Sequence, residues 1–211
     1  MKGMRTQIFT ALAATTLTAV PIACGGNADG MQTSNAVEAQ EKTPVRVDSI
    51  LPIEEEIRRF KERVGRAAAE LEVGTDSRDA LVAMFVSAVE RADTATLARM
   101  SLDPAEFIDL YYPHTMYTHK PYELSPSILW LLMTQNSEKG LVRLIRRYGG
   151  QSFGFEGYRC DAEPKIEGPN RIWDGCVLDR RVDGKVETQR FFGSIIERDG
   201  RFAFVSYAND L

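Results

Sequence analysis

Apolar residues recur at two different periods along this chain, and the change of period divides it. Between residues 49 and 149 they return every three or four positions, and from Phe155 onward they alternate or cluster between turn signals. Ser49 to Gly74 opens with a cap residue and Pro52, then sets Ile53, Ile57, Phe60, Val64, Ala67, Ala68 and Leu71 on one stripe. Glu54/Arg58 and Glu55/Arg59 form i,i+4 pairs on the other faces, so the stretch predicts one amphipathic helix ended by Gly74. Asp76 to Ala92 carries Leu81, Val82, Met84, Phe85, Val86 and Val89, apolar on more than one side, and reads as the core helix. Asp93 caps a short helix through Met100, and Asp103-Pro104-Ala105-Glu106 has capping-box spacing for a third running to about Tyr112. Ser125-Pro126 starts a helix over Ile128 to Thr134, Asn136 or Ser137 opens another, and Gly149-Gly150 stops it.

Four runs rich in aromatic and β-branched residues follow: Phe155 to Ala162, Arg171 to Arg181, Lys185 to Glu197 and Arg201 to Ala208. Glu167-Gly168-Pro169-Asn170, Asp183-Gly184 and Asp199-Gly200 separate them, which predicts a four-stranded antiparallel meander. The doublets Phe191-Phe192 and Ile195-Ile196 break the alternation, so either both faces of the third strand are covered or a bulge lies near Gly193. A first turn centred on Gly168 sets Cys160 opposite Cys176, a disulfide closing a loop worth about 3 kcal/mol in the chain-entropy model. Two buried thiols, or zinc shared with His114 and His119, are the alternatives, although no close-spaced cysteine pair or helical histidine pair supports a metal. No cofactor is expected. Asp174, between Trp173 and Gly175, falls on the face of Ile172 and Cys176 in a regular strand, unless a bulge or strand edge exposes it.

With 211 residues, 44% apolar and 27% charged, the composition is that of a globular chain with a single core. Thirty acidic against 26 basic residues give a formal net charge of -4, which argues against a nucleic-acid partner.

The amino terminus has the layout of a secretory signal: Lys2 and Arg5, an apolar run from Ile8 to Val20, then small residues before Cys24. Pro21-Ile22-Ala23-Cys24-Gly25 resembles a bacterial lipoprotein signal, in which the cysteine becomes the lipid-modified first residue. Pro21 stands where that family usually has an aliphatic residue, and simple secretion with a free thiol at Cys24 is the alternative. The resemblance implies a membrane-anchored lipoprotein of a bacterial cell envelope. From Gly25 to about Asp48 the chain has no apolar period, which predicts a disordered tether spanning on the order of 25 to 30 Å. The expected division is thus 1–23 signal, 24–48 tether, 49–74 amphipathic helix and 75–211 α+β domain.

The fold class expected is α+β, with N-terminal helices packed on a curved C-terminal antiparallel sheet. From about Asp76 to Leu211 this layout resembles the NTF2-like, or cystatin-like, cone shared by nuclear transport factor 2, ketosteroid isomerase and SnoaL-type polyketide cyclases. Ala80 to Met100, a long helix passing through Ala92-Asp93 into a shorter one, carries the likeness. The helix at Pro52 to Leu71 and the pair of helices between Pro126 and Gly149 depart from that family's pattern. Such domains serve as enzymes, binding modules and scaffolds, so the resemblance leaves activity open.

Chemistry-bearing side chains are densest between Asp109 and Tyr122, which hold both histidines and four of the seven tyrosines. Asp109, Tyr112 and His114 are the candidates for acid, base or oxyanion donor, after the cavity carboxylate and tyrosine that the ketosteroid isomerase resemblance implies. Tyr111, Tyr117 and His119 are the candidates for a ligand-binding rim. The plainer reading is a loop that seals sheet against helices with its hydroxyls at the edge. The functions expected are a non-catalytic module binding a small apolar ligand or a protein partner, an isomerase or cyclase, or an assembly protein docking through residues 52–71.

Overall fold

The structure, a computed structural model, describes residues 51–72 and 74–211. The signal, Cys24 and the tether of residues 24–48 lie outside the described residues. Five helices come first: α1 (Ile53–Val64), α2 (Arg78–Glu90), α3 (Thr94–Arg99), α4 (Pro104–Glu106) and α5 (Pro126–Tyr148). Between α4 and α5 run a π-helical turn, Phe107–Tyr111, and two 3-10 turns, Tyr112–His114 and Met116–Thr118. Seven short strands follow: β1 (Phe155–Arg159), β2 (Lys165–Glu167), β3 (Asn170–Trp173), β4 (Val177–Val182), β5 (Lys185–Gln189), β6 (Ile195–Arg198) and β7 (Arg201–Phe204). The class is therefore α+β, with helices in the N-terminal half and antiparallel sheet in the C-terminal part.

The helix starts follow their caps. Ser77 accepts from Ala80 N–H, Asp93 from Thr96 N–H and Ser125 from Ile128 N–H, while Asp103 and Glu106 form the reciprocal capping box. The helix expected to reach about Tyr112 is α-helical only through Glu106 and continues as the π turn, and two further boundaries differ from expectation. α1 ends at Gly65, whose φ of 72° closes the last turn in the left-handed conformation, rather than at Gly74. Beyond it the backbone leaves the helix because carboxylates compete for its donors: Asp109 accepts from Ala68 N–H at 2.9 Å and Glu106 from Glu72 N–H at 2.8 Å. Ala68 and Leu71 still reach the core, so the apolar stripe continues where the helix does not.

The second difference is α5, one continuous helix of 23 residues where two were expected. The polar residues read as a break have other partners. Thr134 donates back to the Trp130 carbonyl, and Ser137 accepts from Tyr207 N–H at 3.0 Å, so neither caps a new helix.

The expected single sheet is two. β1-β4-β5 form one and β2-β3-β6-β7 the other, because the second expected strand breaks at Asp174-Gly175 and the third between Arg190 and Ser194. Gly175 takes φ 62°, which turns the chain out of one sheet into the next. Order along the meander survives: β4 pairs with β5, β3 with β6 and β6 with β7. Both covered faces and an interruption are found at the doublets, since Phe191, Phe192, Ile195 and Ile196 are all fully buried.

For Ile195 and Ile196 the double burial follows from two cores, one on each side, whereas Phe191 and Phe192 both enter the first. Phe85, Val89, Leu97, Leu144, Phe192, Phe204 and Tyr207 belong to the first, whereas Phe60, Leu71, Phe107, Leu129, Ile172 and Ile196 belong to the second. α5 serves both, with Leu129 in the second and Leu144 in the first. The π turn after α4 places Phe107 against Phe60 and Trp130, with ring centroids at 5.6 and 5.0 Å. Cys160 and Cys176 are joined at 1.99 Å, and β1 and β4 run in the register that leads to them, with Arg159 opposite Val177.

Candidate functional site

The side chains singled out between Asp109 and Tyr122 turn to separate partners. Asp109 faces α1: besides Ala68 N–H it pairs with the Lys61 ammonium at 2.7 Å. Burial alone would raise its pKa, but Lys61 and the Ala68 N–H outweigh it and hold the carboxyl below its ordinary value. The Tyr112 hydroxyl donates to the Leu124 carbonyl at 2.8 Å, and burial pushes its pKa up to about 12. His114 is half-buried beside the β2–β3 turn, where a Cβ on Gly168 would come within 2.6 Å of its Nδ1. Tyr117 and His119 are exposed, and Tyr117 packs edge-on against Tyr122 at 5.4 Å. Asp109, Tyr112 and His114 therefore do not form an acid–base constellation. An ionised Asp109 bound by an ammonium and an amide is a pin for residues 66–72. Arg66 pairs with Asp103, so Asp103, Glu106 and Asp109 hold that segment at three successive points.

One half-buried titratable group emerges that sequence reading had passed over. Glu167, at the end of β2, packs beneath the 3-10 turns; burial raises its pKa above the usual range against the opposing pull of the Thr115 hydroxyl and the Met116 N–H. Its Oε2 is buried without a hydrogen-bond partner among the described residues. Tyr111, whose hydroxyl accepts from Thr115 at 3.4 Å, is also pushed up to about 12 by burial. Asp174 does not enter this pocket of polar groups as an open acid. It is held by Lys165 at 2.5 Å and by the Ser194 hydroxyl.

The concave apolar surface lies elsewhere, around Trp130. A cleft of about 520 Å³ is lined by Ala98, Leu102, Pro104, Trp130, Leu141 and Tyr207, with Arg99, Asp103, Ser137 and Glu138 at its polar margin. A second, of about 660 Å³, lies between α1 and α5 and is lined by Phe60, Val64, Ala105 and Leu131, with Arg63 and Arg66. Pro104, Trp130 and Thr134 line both, so the indole forms a shared wall. Both volumes fall in the range of small-molecule sites, and each joins apolar walls to a few charged groups. Trp130 was legible only as one apolar position of a helix. What makes it a wall is the close approach of α4, α1 and the C-terminal Tyr207, three segments distant in sequence.

None of the tyrosines or histidines proposed from sequence for a ligand rim lines either cleft. Among the described residues no group of histidine, cysteine and acidic side chains is arranged to hold a metal, and no helix is long and apolar enough to cross a membrane. Compared with known proteins, the chain matches no family model, no curated protein and no solved structure.

Proposed function

We propose that this chain is an exported, lipid-anchored envelope protein whose α+β domain binds a small apolar ligand in the clefts flanking Trp130. The observation that carries the binding reading is the pair of adjoining clefts sharing that indole, apolar within and charged at the margin. Export is supported by the leader layout ending at Cys24 and by the Cys160–Cys176 bond, which belongs in an oxidising compartment. On this reading the domain is a variant of the NTF2-like cone, supported by the passage of α2 through Ala92 and Asp93 into α3 and by strands wrapped on Phe85. The clefts replace the Tyr-His loop as the site. A ligand with an apolar body and one polar end suits them, its body against Trp130 and its polar end near Arg99 or Arg63.

Docking through residues 52–71 has no support of this kind, because Phe60, Ala68 and Leu71 are buried within the fold. The test uses Ala98→Phe, a change on the exposed side of α3 that fills the first cleft. Titration with 1-anilinonaphthalene-8-sulfonate and displacement by alkyl carboxylates should show saturable binding in the parent, weakened at least about tenfold in the variant. Equal binding by parent and variant, or none by the parent, rejects the first cleft as the site.

A further inference from the structure

We infer that the outer face of α5 is a docking surface for an anionic phospholipid membrane. Helix periodicity and exposure together define this face. Ile128, Leu131, Leu132 and Val142 lie on it with exposures of 51%, 53%, 45% and 56%, although the opposite face supplies Leu129 and Leu144 to the cores. C-terminal to the first three, and flanking Val142, are Lys139, Arg143, Arg146 and Arg147, all exposed, against a single acid, Glu138. Such a face is apolar at its N-terminal half and basic at its C-terminal half over a helix roughly 35 Å long.

Charge sets this face apart from the rest of the molecule. The chain carries a formal net charge of -4, yet four cations lie together on one helix face with no ion pair among the described residues; Arg143 donates to Asn209, and Lys139, Arg146 and Arg147 carry the charge that faces outward. Arg143, Arg146 and Arg147 also border a recess of about 300 Å³ with Leu211, wide enough to admit a phosphate group. A membrane interface satisfies both halves at once: aliphatic side chains enter the acyl boundary, and guanidinium groups bind headgroup phosphates. The outer face of a surface helix is convex, which suits a deformable planar lipid surface better than a peptide seeking a groove. Acidic residues elsewhere would be repelled by the same surface, so docking would fix the orientation of the clefts relative to the membrane. This inference depends neither on lipidation of Cys24 nor on ligand binding at Trp130.

The test reads α5 directly in the full chain. With Cys24→Ser and Leu132→Cys, the disulfide leaves residue 132 as the only free thiol, to be labelled with an environment-sensitive fluorophore. The label should shift to the blue with vesicles of phosphatidylcholine containing about one-third phosphatidylglycerol, far less with phosphatidylcholine alone, and salt should reverse the shift. Adding Lys139→Gln, Arg146→Gln and Arg147→Gln should weaken the response at least about tenfold. Circular dichroism confirms that these exposed substitutions leave the fold intact. An equal shift on neutral vesicles, no shift on either, or a triple variant indistinguishable from its parent overturns the proposal. A response to soluble polyglutamate without one to vesicles also overturns it, in favour of an acidic protein partner.

Discussion

Two half-buried carboxylates show how the same kind of group is shifted in opposite directions by what surrounds it. Asp109 gains more from Lys61 and the Ala68 N–H than it loses to burial, so its folded pKa lies below the ordinary 3.8. Its contribution to stability is complete above that value and is lost as pH falls through the folded pKa. Asp109→Asn should cost about 1–2 kcal/mol at neutral pH, with the gap to the parent closing in urea melts only as pH falls below the ordinary 3.8. Glu167 is the reverse case. Burial raises its pKa above 4.5, so the folded state holds its proton more tightly than the unfolded chain. Stability therefore falls as pH rises from 4.5 through the folded value, and Glu167→Gln should gain over the parent as pH rises above 4.5. A thermal offset independent of pH would show that Glu167 imposes no ionisation cost. Neither role was legible in the sequence. A carboxylate's sign of shift depends on what lies across from it, and here the partners come from α1 and from the 3-10 turns.

At the scale of elements, local signals succeeded where the chain meets its own neighbours. Asp93, the Asp103–Glu106 box and Ser125-Pro126 each start a helix where the sequence placed it, since caps act within four residues. Failures came where distant segments bid for the same polar groups. Ser137 is taken by Tyr207, and the donors of Ala68 and Glu72 are taken by Asp109 and Glu106. Gly140 makes the point sharply. Within a helix, Gly→Ala ordinarily stabilises by about 1 kcal/mol, but a Cβ here would lie 1.7 Å from the Tyr207 carbonyl oxygen. Gly140→Ala should reverse that sign and destabilise by at least about 2 kcal/mol, measured by chemical denaturation, as α5 and the C-terminal strap are forced apart. A stabilised variant would mean that the strap does not rest on α5 as described.

For the whole molecule, the question is whether two cores behave as one folding unit. Cys160 and Cys176 were readable because a strand register is arithmetic: the expected register is found between Gly157 and Arg159, although the hairpin around Gly168 is itself one residue out, with Ile166 opposite Arg171. The bend was not: only the packed structure shows that Asp174-Gly175 and Arg190 to Ser194 split two long strands, and that both faces of β6 are covered, so that its alternation sends Ile195 and Ile196 to opposite cores. Such sharing ties the cores together. α5 contributes to both, and the second sheet lies between them, so unfolding either removes one covered face from the other. A single cooperative transition is therefore expected in calorimetry. Phe60→Ala in one core and Phe85→Ala in the other should each lower that same transition by about 3–5 kcal/mol. Replacing both Cys160 and Cys176 with alanine should lower it by about 3 kcal/mol, or roughly 6–12 °C in Tm. Two resolved transitions, with Phe60→Ala moving one and Phe85→Ala the other, would show that α5 and the bent strands do not couple the cores.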